Sequence, residues 1–446
     1  MNNPSNSGLG NRSAPSDCCE IISDKFDLNS NVQLEAGQVA NVTGFVRPVG
    51  GVSSGSPYTF NLDSMADYFL QMNSLYIYVK CKVVFATGKS IAEAQKVGLV
   101  NGFGLSFFDA IEVSLDGFPV NKGSDTRMPY KNMIETLLSY ESDARTTHLK
   151  ASIFEMDDID HLENMDPSAA GNNAFKKRNA LMKESKEFDF TVPLMTDFTR
   201  SDNHLAPGEK LSIKAIQSSN PFLLKSSEDN ASYIVKVEDI RLYYNRIRID
   251  PTISANILST PHRYLSAQTH LKHFTLPSGL SSYNMELYSG PLPRSIVVGQ
   301  VLTSAYDGSY DKNPFNFQHF NVNHLALKIN GQSIPSDGYT PDFENNLISR
   351  EYTELHVNTG TFRTDRGSCV TMARFKKGCT LFPWDCTYDR CNSNHLHVTR
   401  DGLMELSIGW KKPLENPITI LVYACFNQRI VTNYDPKILT PKIEII

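Results

Sequence analysis

Ile111-Glu-Val-Ser-Leu-Asp-Gly117 and Leu325-Ala-Leu-Lys-Ile-Asn-Gly331 decide how the rest of the chain is read. Each places apolar residues at alternate positions, the period of a strand with one buried face, and ends on Asx-Gly. That dipeptide tolerates two successive positive φ angles, the backbone of the tight turn that suits the twist of a hairpin. The segments after the two hairpins also repeat. After Gly117 come a return strand with proline, a polar loop and a helix opening at Pro129, with Tyr130, Met133, Ile134, Leu137, Leu138 and Tyr140 on one face. After Gly331 come a return stretch with Pro335, a polar loop, and Thr340-Pro341, a capping residue and a first-turn proline that predict a second helix there. Phe343, Leu347, Ile348, Tyr352 and Leu355 give that helix a broader apolar face.

The closing strands correspond as well, Ile240-Arg-Leu-Tyr-Tyr-Asn-Arg-Ile247 with Ile420-Leu-Val-Tyr-Ala-Cys-Phe-Asn-Gln-Arg-Ile430. An ordered series of matching elements indicates two related units, and 446 residues exceed what one hydrophobic core usually serves. The expected division is a flexible N-terminal arm and lead-in over 1–54, a first β domain over 55–255 and a second over 256–446. Other segments agree. Leu75, Ile77, Val79, Cys81, Val83 and Phe85 alternate with Tyr76, Tyr78, Lys80 and Lys82, and Phe188, Phe190 and Val192 with Asp189 and Thr191. In 233–249 the apolar parity slips twice, which predicts β-bulges or a strand whose two faces both meet protein. Region 141–186 breaks the rhythm with the acidic run Glu155-Met-Asp-Asp-Ile-Asp160 and the basic cluster Lys176-Lys177-Arg178. It is read as an inserted loop with a short helix and as a candidate clasp onto a neighbouring subunit. A β domain of this size with a helix in a long loop fits an eight-stranded jelly roll. The fold class is therefore all-β, two tandem jelly-roll β-sandwiches with short helices in loops.

From about Pro57 onward the chain resembles the double-jelly-roll major capsid proteins of Maverick/Polinton-type elements and adintoviruses, with adenovirus hexon and virophage capsid proteins as more distant relatives in fold. The resemblance rests on Met128-Pro-Tyr-Lys-Asn-Met-Ile-Glu-Thr-Leu-Leu-Ser-Tyr140, Gly308-Ser-Tyr-Asp-Lys-Asn-Pro-Phe-Asn-Phe317, Pro341-Asp-Phe-Glu-Asn345 and Gly378-Cys-Thr-Leu-Phe-Pro-Trp-Asp385. It implies a homotrimeric capsomer of near-hexagonal outline, tiling an icosahedral shell in a virion assembled inside the host cell. Its partners would be neighbouring capsomers and a penton or minor capsid protein. Asn6-Ser-Gly-Leu-Gly10 has a loose likeness to maturation-protease sites, but a plain linker explains it equally.

Composition narrows the alternatives. A net charge of −5 gives no basic excess for wrapping nucleic acid, so no direct sequence-specific nucleic-acid partner is expected. No apolar run is long enough to span a membrane, and no apolar segment follows Met1 as a secretory signal would. The cysteines are accordingly expected as free thiols, and the Asn-X-Ser/Thr triplets at Asn11, Asn41 and Asn230 as unmodified. Motifs for hydrolases, kinases, zinc proteases and dinucleotide binding are missing, so no catalytic or cofactor-binding residue is assigned. Cys379, Cys386, Cys391, His395 and His397 offer zinc-type ligands, but without the close C-x2-C pairing of structural zinc sites they read as ordinary thiols and loop histidines. Asp157 and Asp158 lack the glycine and glutamate of a calcium loop and read as a solvated acidic face. Tyr76, Tyr78, Lys80 and Lys82 could stack bases, yet an outward strand face against a neighbouring sheet or subunit explains them better. The competing function is a carbohydrate-binding jelly-roll module, which would need an exposed aromatic platform or a metal-linked sugar site.

Overall fold

The computed structural model describes residues 37–52, 57–121, 127–388, 398–432 and 441–445. The two Asx-Gly sites form the turns their chemistry dictates. Asp116 and Gly117 have φ of 50° and 86°, Asn330 and Gly331 φ of 50° and 81°. Leu115 consequently lies opposite Phe118, and Ile329 opposite Gln332. The repeat extends to a third strand that the hairpin comparison missed. Asp116 Oδ1 accepts from Lys210 N at 2.9 Å, and Asn330 Oδ1 accepts from Leu403 N at 2.8 Å. In both halves the side chain of the turn residue thus fastens the next strand of the sheet.

Built outward from these hairpins, each half has an eight-stranded sandwich as its frame, with short further strands at Val97–Leu99, His204–Leu205, Leu224–Ser226 and Lys442–Ile445. The first has β1 (Gln38–Val46), β2 (Tyr58–Leu62), β3 (Tyr68–Phe85), β4 (Phe108–Leu115), β5 (Phe118–Asn121), β6 (Phe188–Pro193), β7 (Leu211–Gln217) and β8 (Tyr233–Ile249). The second has β9 (His262–Leu276), β10 (Ser282–Pro291), β11 (Ser295–Leu302), β12 (Val322–Ile329), β13 (Gln332–Tyr339), β14 (Leu381–Asp385), β15 (Asp401–Trp410) and β16 (Ile418–Thr432). Sheet orders are β1-β8-β3-β6 and β2-β7-β4-β5 in the first, and β9-β16-β11-β14 and β10-β15-β12-β13 in the second. Each strand therefore has its counterpart eight places later. All these pairings are antiparallel. The main helices lie outside the sheets: α1 (Met128–Ser139), α2 (Asn173–Met182), α3 (Pro251–Leu258) between the sandwiches, and α4 (Ser349–Asn358).

Side-chain alternation accounts for the core. Ile77, Val79, Cys81 and Val83 of β3 are fully buried, facing Phe60, Val113 and Ile213 in one continuous core. The parity slips in β8 are register shifts at Val237/Asp239 and Tyr243/Asn245, as the pattern requires.

Three sequence expectations need correction. Residues 38–46, assigned to the lead-in, form β1, which pairs with β8 from Gln38↔Ile249 to Val46↔Leu242. Its alternation was hidden because Val39, Val42 and Phe45 stay exposed, so apolar residues there do not mark a buried face. The second helix does not open at Pro341. Asp342 and Leu347 instead close a short loop by mutual backbone hydrogen bonds of 3.0 and 2.9 Å, with the Asp342 carboxylate accepting from Asn345, and α4 begins at Ser349. Leu347, placed on the apolar face, is 68% exposed. The insertion at 141–186 carries two short helical turns over 142–152 as well as α2.

Candidate functional site: the assembly surfaces

The first surface joins the two sandwiches within one chain. Sequence periodicity makes α1 amphipathic, but every residue from Met128 to Leu138 is buried, the polar ones included. Its polar side is covered by the outer face of the sheet β9-β16-β11-β14. Lys131 Nζ meets Glu135 Oε1 at 2.8 Å, Asp197 Oδ1 at 3.3 Å and the Met195 carbonyl at 2.7 Å. Glu135 also accepts from Tyr423 OH at 2.8 Å and from Arg200 at 2.6 Å. Asp197 accepts from Thr269 N at 2.6 Å and its hydroxyl at 2.8 Å. Burial pushes the Lys131 ammonium towards neutrality, but Glu135 and Asp197 outweigh it and hold its pKa above the usual lysine value. Near the start of the helix, the Arg127 guanidinium sits 4.4 Å over Tyr306 and 4.9 Å over Phe222, with a bond to the Tyr306 carbonyl.

The insertion supplies a second fastening. Arg178, counted in the basic cluster, is buried; it donates to the Leu99 carbonyl at 2.8 Å and pairs with Asp157 at 2.5 Å. Asp157 also accepts from Asn172 at 2.8 Å and from Asn313 at 3.2 Å, and its carbonyl accepts from Arg374. Glu163 accepts from Asn313 N at 2.9 Å and from Asn316 at 2.6 Å, and burial raises its pKa. The solvated reading of the acidic pair thus fails for Asp157. Asp158 accepts from Asn173 N at 2.8 Å, at the start of α2. Within the chain the insertion grips the second sandwich, because opposite charges and amides far apart in sequence meet there and satisfy one another. Lys177 remains at the surface, 3.1 Å from Glu155.

The other singled-out residues part company. Cys379 and Cys386 are both buried, and burial lifts the Cys379 thiol to about 11. Cys391, His395 and His397 lie outside the described residues, as do Asn6–Gly10, Asn11, Cys18 and Cys19. Among the described residues no group of three or more His, Cys, Asp or Glu is arranged to hold a metal, and no helix is long and apolar enough to cross a membrane. The stripe on β3 does face outward. Lys80 is paired with Glu187 at 2.5 Å and Lys82 with Glu238 at 2.9 Å, so its charge is neutralised locally rather than offered to phosphate. Tyr76 stacks on Tyr243, centroids 5.1 Å apart, and Tyr243 meets Phe45 at 5.6 Å. This cross-strand row was not legible in sequence, since Phe45 and Tyr243 become neighbours of Tyr76 only through sheet register.

Both sandwiches have counterparts in solved structures. A chain of the Sputnik virophage structure determined by cryo-EM superposes with a TM-score of 0.63 at 13% identity, over 98% of this chain and 95% of that one. The Faustovirus major capsid protein gives 0.56 at 8% identity, over 91% and 93%. The mavirus major capsid protein gives 0.52 at 10% identity, over 100% and 97%. In fold the chain is a double jelly roll. Both rolls are matched end to end, so the double jelly roll accounts for nearly the whole chain. No protein-family model matches it. The uncharacterized protein F54H12.2 of Caenorhabditis elegans is 30% identical over 148 residues, 32% of this chain, which spans only 35% of that relative's length.

Proposed function

We propose that this chain is a major capsid protein: a non-catalytic structural subunit that forms pseudo-hexagonal homotrimeric capsomers of an icosahedral shell. The observation that carries the reading is the end-to-end match of both rolls to the mavirus and Faustovirus major capsid proteins. The physics supports it. Two rolls held rigidly side by side by buried ion pairs form one building block, and three such blocks supply six rolls around one axis. The block divides into a first unit that includes β1 and ends near 255, and a second from about 256 to the C-terminus. Its partners are further copies of itself, neighbouring capsomers and a penton or minor capsid protein, in a virion of the Maverick/Polinton and adintovirus type.

The test is the mass of the purified protein in solution. Light scattering should report three times the 49.9 kDa chain, and electron microscopy should show threefold particles of hexagonal outline. A stable monomer at high concentration would refute the capsomer reading and favour the carbohydrate-binding module.

A further inference from the structure

The counterpart relation between the rolls exposes an asymmetry in their burial. In the second roll the strands β16, β11 and β14 of the sheet β9-β16-β11-β14 are buried on both faces over most of their length, while the edge strand β9 keeps exposed residues such as Leu265. The outward row of β16 includes Leu421, Cys425 and Asn427, at 0%, 4% and 8% exposure, because α1 and the segment after β6 lie over it. In the first roll the equivalent sheet keeps a bare outer face, with Phe45 46% and Tyr76 39% exposed. The helices show the reverse. α1 is buried along its length, whereas its counterpart α4 buries only Glu351 and Leu355. One end of the chain thus has a sheet without its covering helix, and the other has a helix that rests on β14 of its own roll and leaves its outer side uncovered.

We infer that α4 of a second copy seats on the outer face of the first roll's sheet, against the Phe45–Tyr243–Tyr76 row, repeating between chains the contact that α1 makes within one. The inference rests on the capsomer reading and names its interface. It is a heterologous, head-to-tail contact, which joins unlike surfaces and ends in a closed ring when the rotation closes. The row is shaped for protein rather than for a flat ligand. Tyr76 and Tyr243 lie 6° from parallel and stack on each other, so one face of each ring is covered by the other, and Phe45 lies against Tyr243 as well. The Arg241 guanidinium covers Phe45 at 5.1 Å. A sugar or base needs a free ring face; side chains from a helix pack between ring edges. Both sides carry exposed apolar groups that such a contact would bury, Phe45 and Tyr76 on the sheet, Leu347 and Phe362 flanking α4.

Single substitutions Tyr76→Asp and Phe45→Asp in the full chain test this. Both sites are exposed, so the fold should persist by circular dichroism, while the mass should fall from three chains to one. Tyr283→Asp, equally exposed at 39% on β10, should leave the mass unchanged. A second measurement does not rely on disruption. With Tyr76→Cys and Thr353→Cys in one chain, a short bis-maleimide should yield linked peptides joining positions 76 and 353 of different copies. A wild-type trimer whose mass survives both aspartate variants, with no such linked peptide, overturns the interface and leaves the capsomer reading standing. Equal loss of assembly in Tyr283→Asp also overturns it, and a monomeric wild-type protein overturns both.

Discussion

Replacing Glu135 with alanine should destabilise the pairing of the rolls more than any other single change on α1. The carboxylate is 8% exposed and serves three partners: Lys131 (2% exposed), the Tyr423 hydroxyl and Arg200. Arg200 is half exposed, so its pairing contributes less than about 1 kcal/mol. The large cost comes from Lys131, left buried with Asp197 as its remaining carboxylate, and from a buried hydroxyl without an acceptor. Breaking a buried pair from one side costs about 3–5 kcal/mol. Unfolding entropy is about 2.1 cal/mol/K per residue, so a loss of about 4 kcal/mol lowers Tm by about 4 °C if all 446 residues unfold together. If one roll of about 200 residues unfolds by itself, the same loss gives about 10 °C. Differential scanning calorimetry at fixed protein concentration separates these outcomes. The double variant Lys131→Met with Glu135→Met, which removes both charges of this pair, should recover part of the loss, since Asp197 then keeps only its hydrogen bonds from Thr269 and the Tyr423 hydroxyl stays without its acceptor. A shift below 1 °C for Glu135→Ala, or no recovery in the double variant, would refute the claim that this network holds α1 to the second roll.

Two further outcomes concern particular residues. Gly117→Val and Gly331→Val should each cost about 1–2 kcal/mol in urea unfolding, from the positive-φ backbone alone, since neither glycine has an atom within 4 Å of a new Cβ; a variant that costs nothing would contradict the turn geometry. Lys225, hydrogen-bonded to the carbonyls of Pro221 and Ser309, is lowered by burial from 10.5 to about 7, although Glu163 and Asp311 pull the other way. Between those values the unfolded chain holds a proton that the folded chain has released, so stability should rise with pH there, by at most about 1.4 kcal/mol per unit, and be flat in this respect below pH 7. The slope should be smaller in Lys225→Met; identical slopes would refute the assignment.

The hairpins, the alternating strands and the duplicated order of elements were all legible in the sequence, because each depends on residues within a few positions of one another. Asx-Gly demands positive φ wherever it sits, and period-2 burial shows in any strand with one wet face. The bulges of β8 were readable for the same reason. β1 escaped because its exposed apolar residues break that rule, and α4 was misplaced because a capping residue followed by proline also suits the Asp342–Leu347 loop.

Tertiary structure alone decided what the charges do. Asp157 read as part of a solvated face and Arg178 as part of a basic cluster, yet they are buried against each other, and Asp157 also meets Asn313, which lies in the other roll. Lys131 and Glu135 lie off the apolar face that the sequence gives this helix, yet they meet Asp197 and Tyr423. A charged residue's pattern along the chain reports the preference of that residue for water, not whether a partner from a distant segment replaces the water. Local rules therefore determined the two rolls, while the seam between them, and the bare face left on the first, were set by contacts between segments far apart in the chain, 72 residues for Asp197 and Thr269 and 288 for Glu135 and Tyr423.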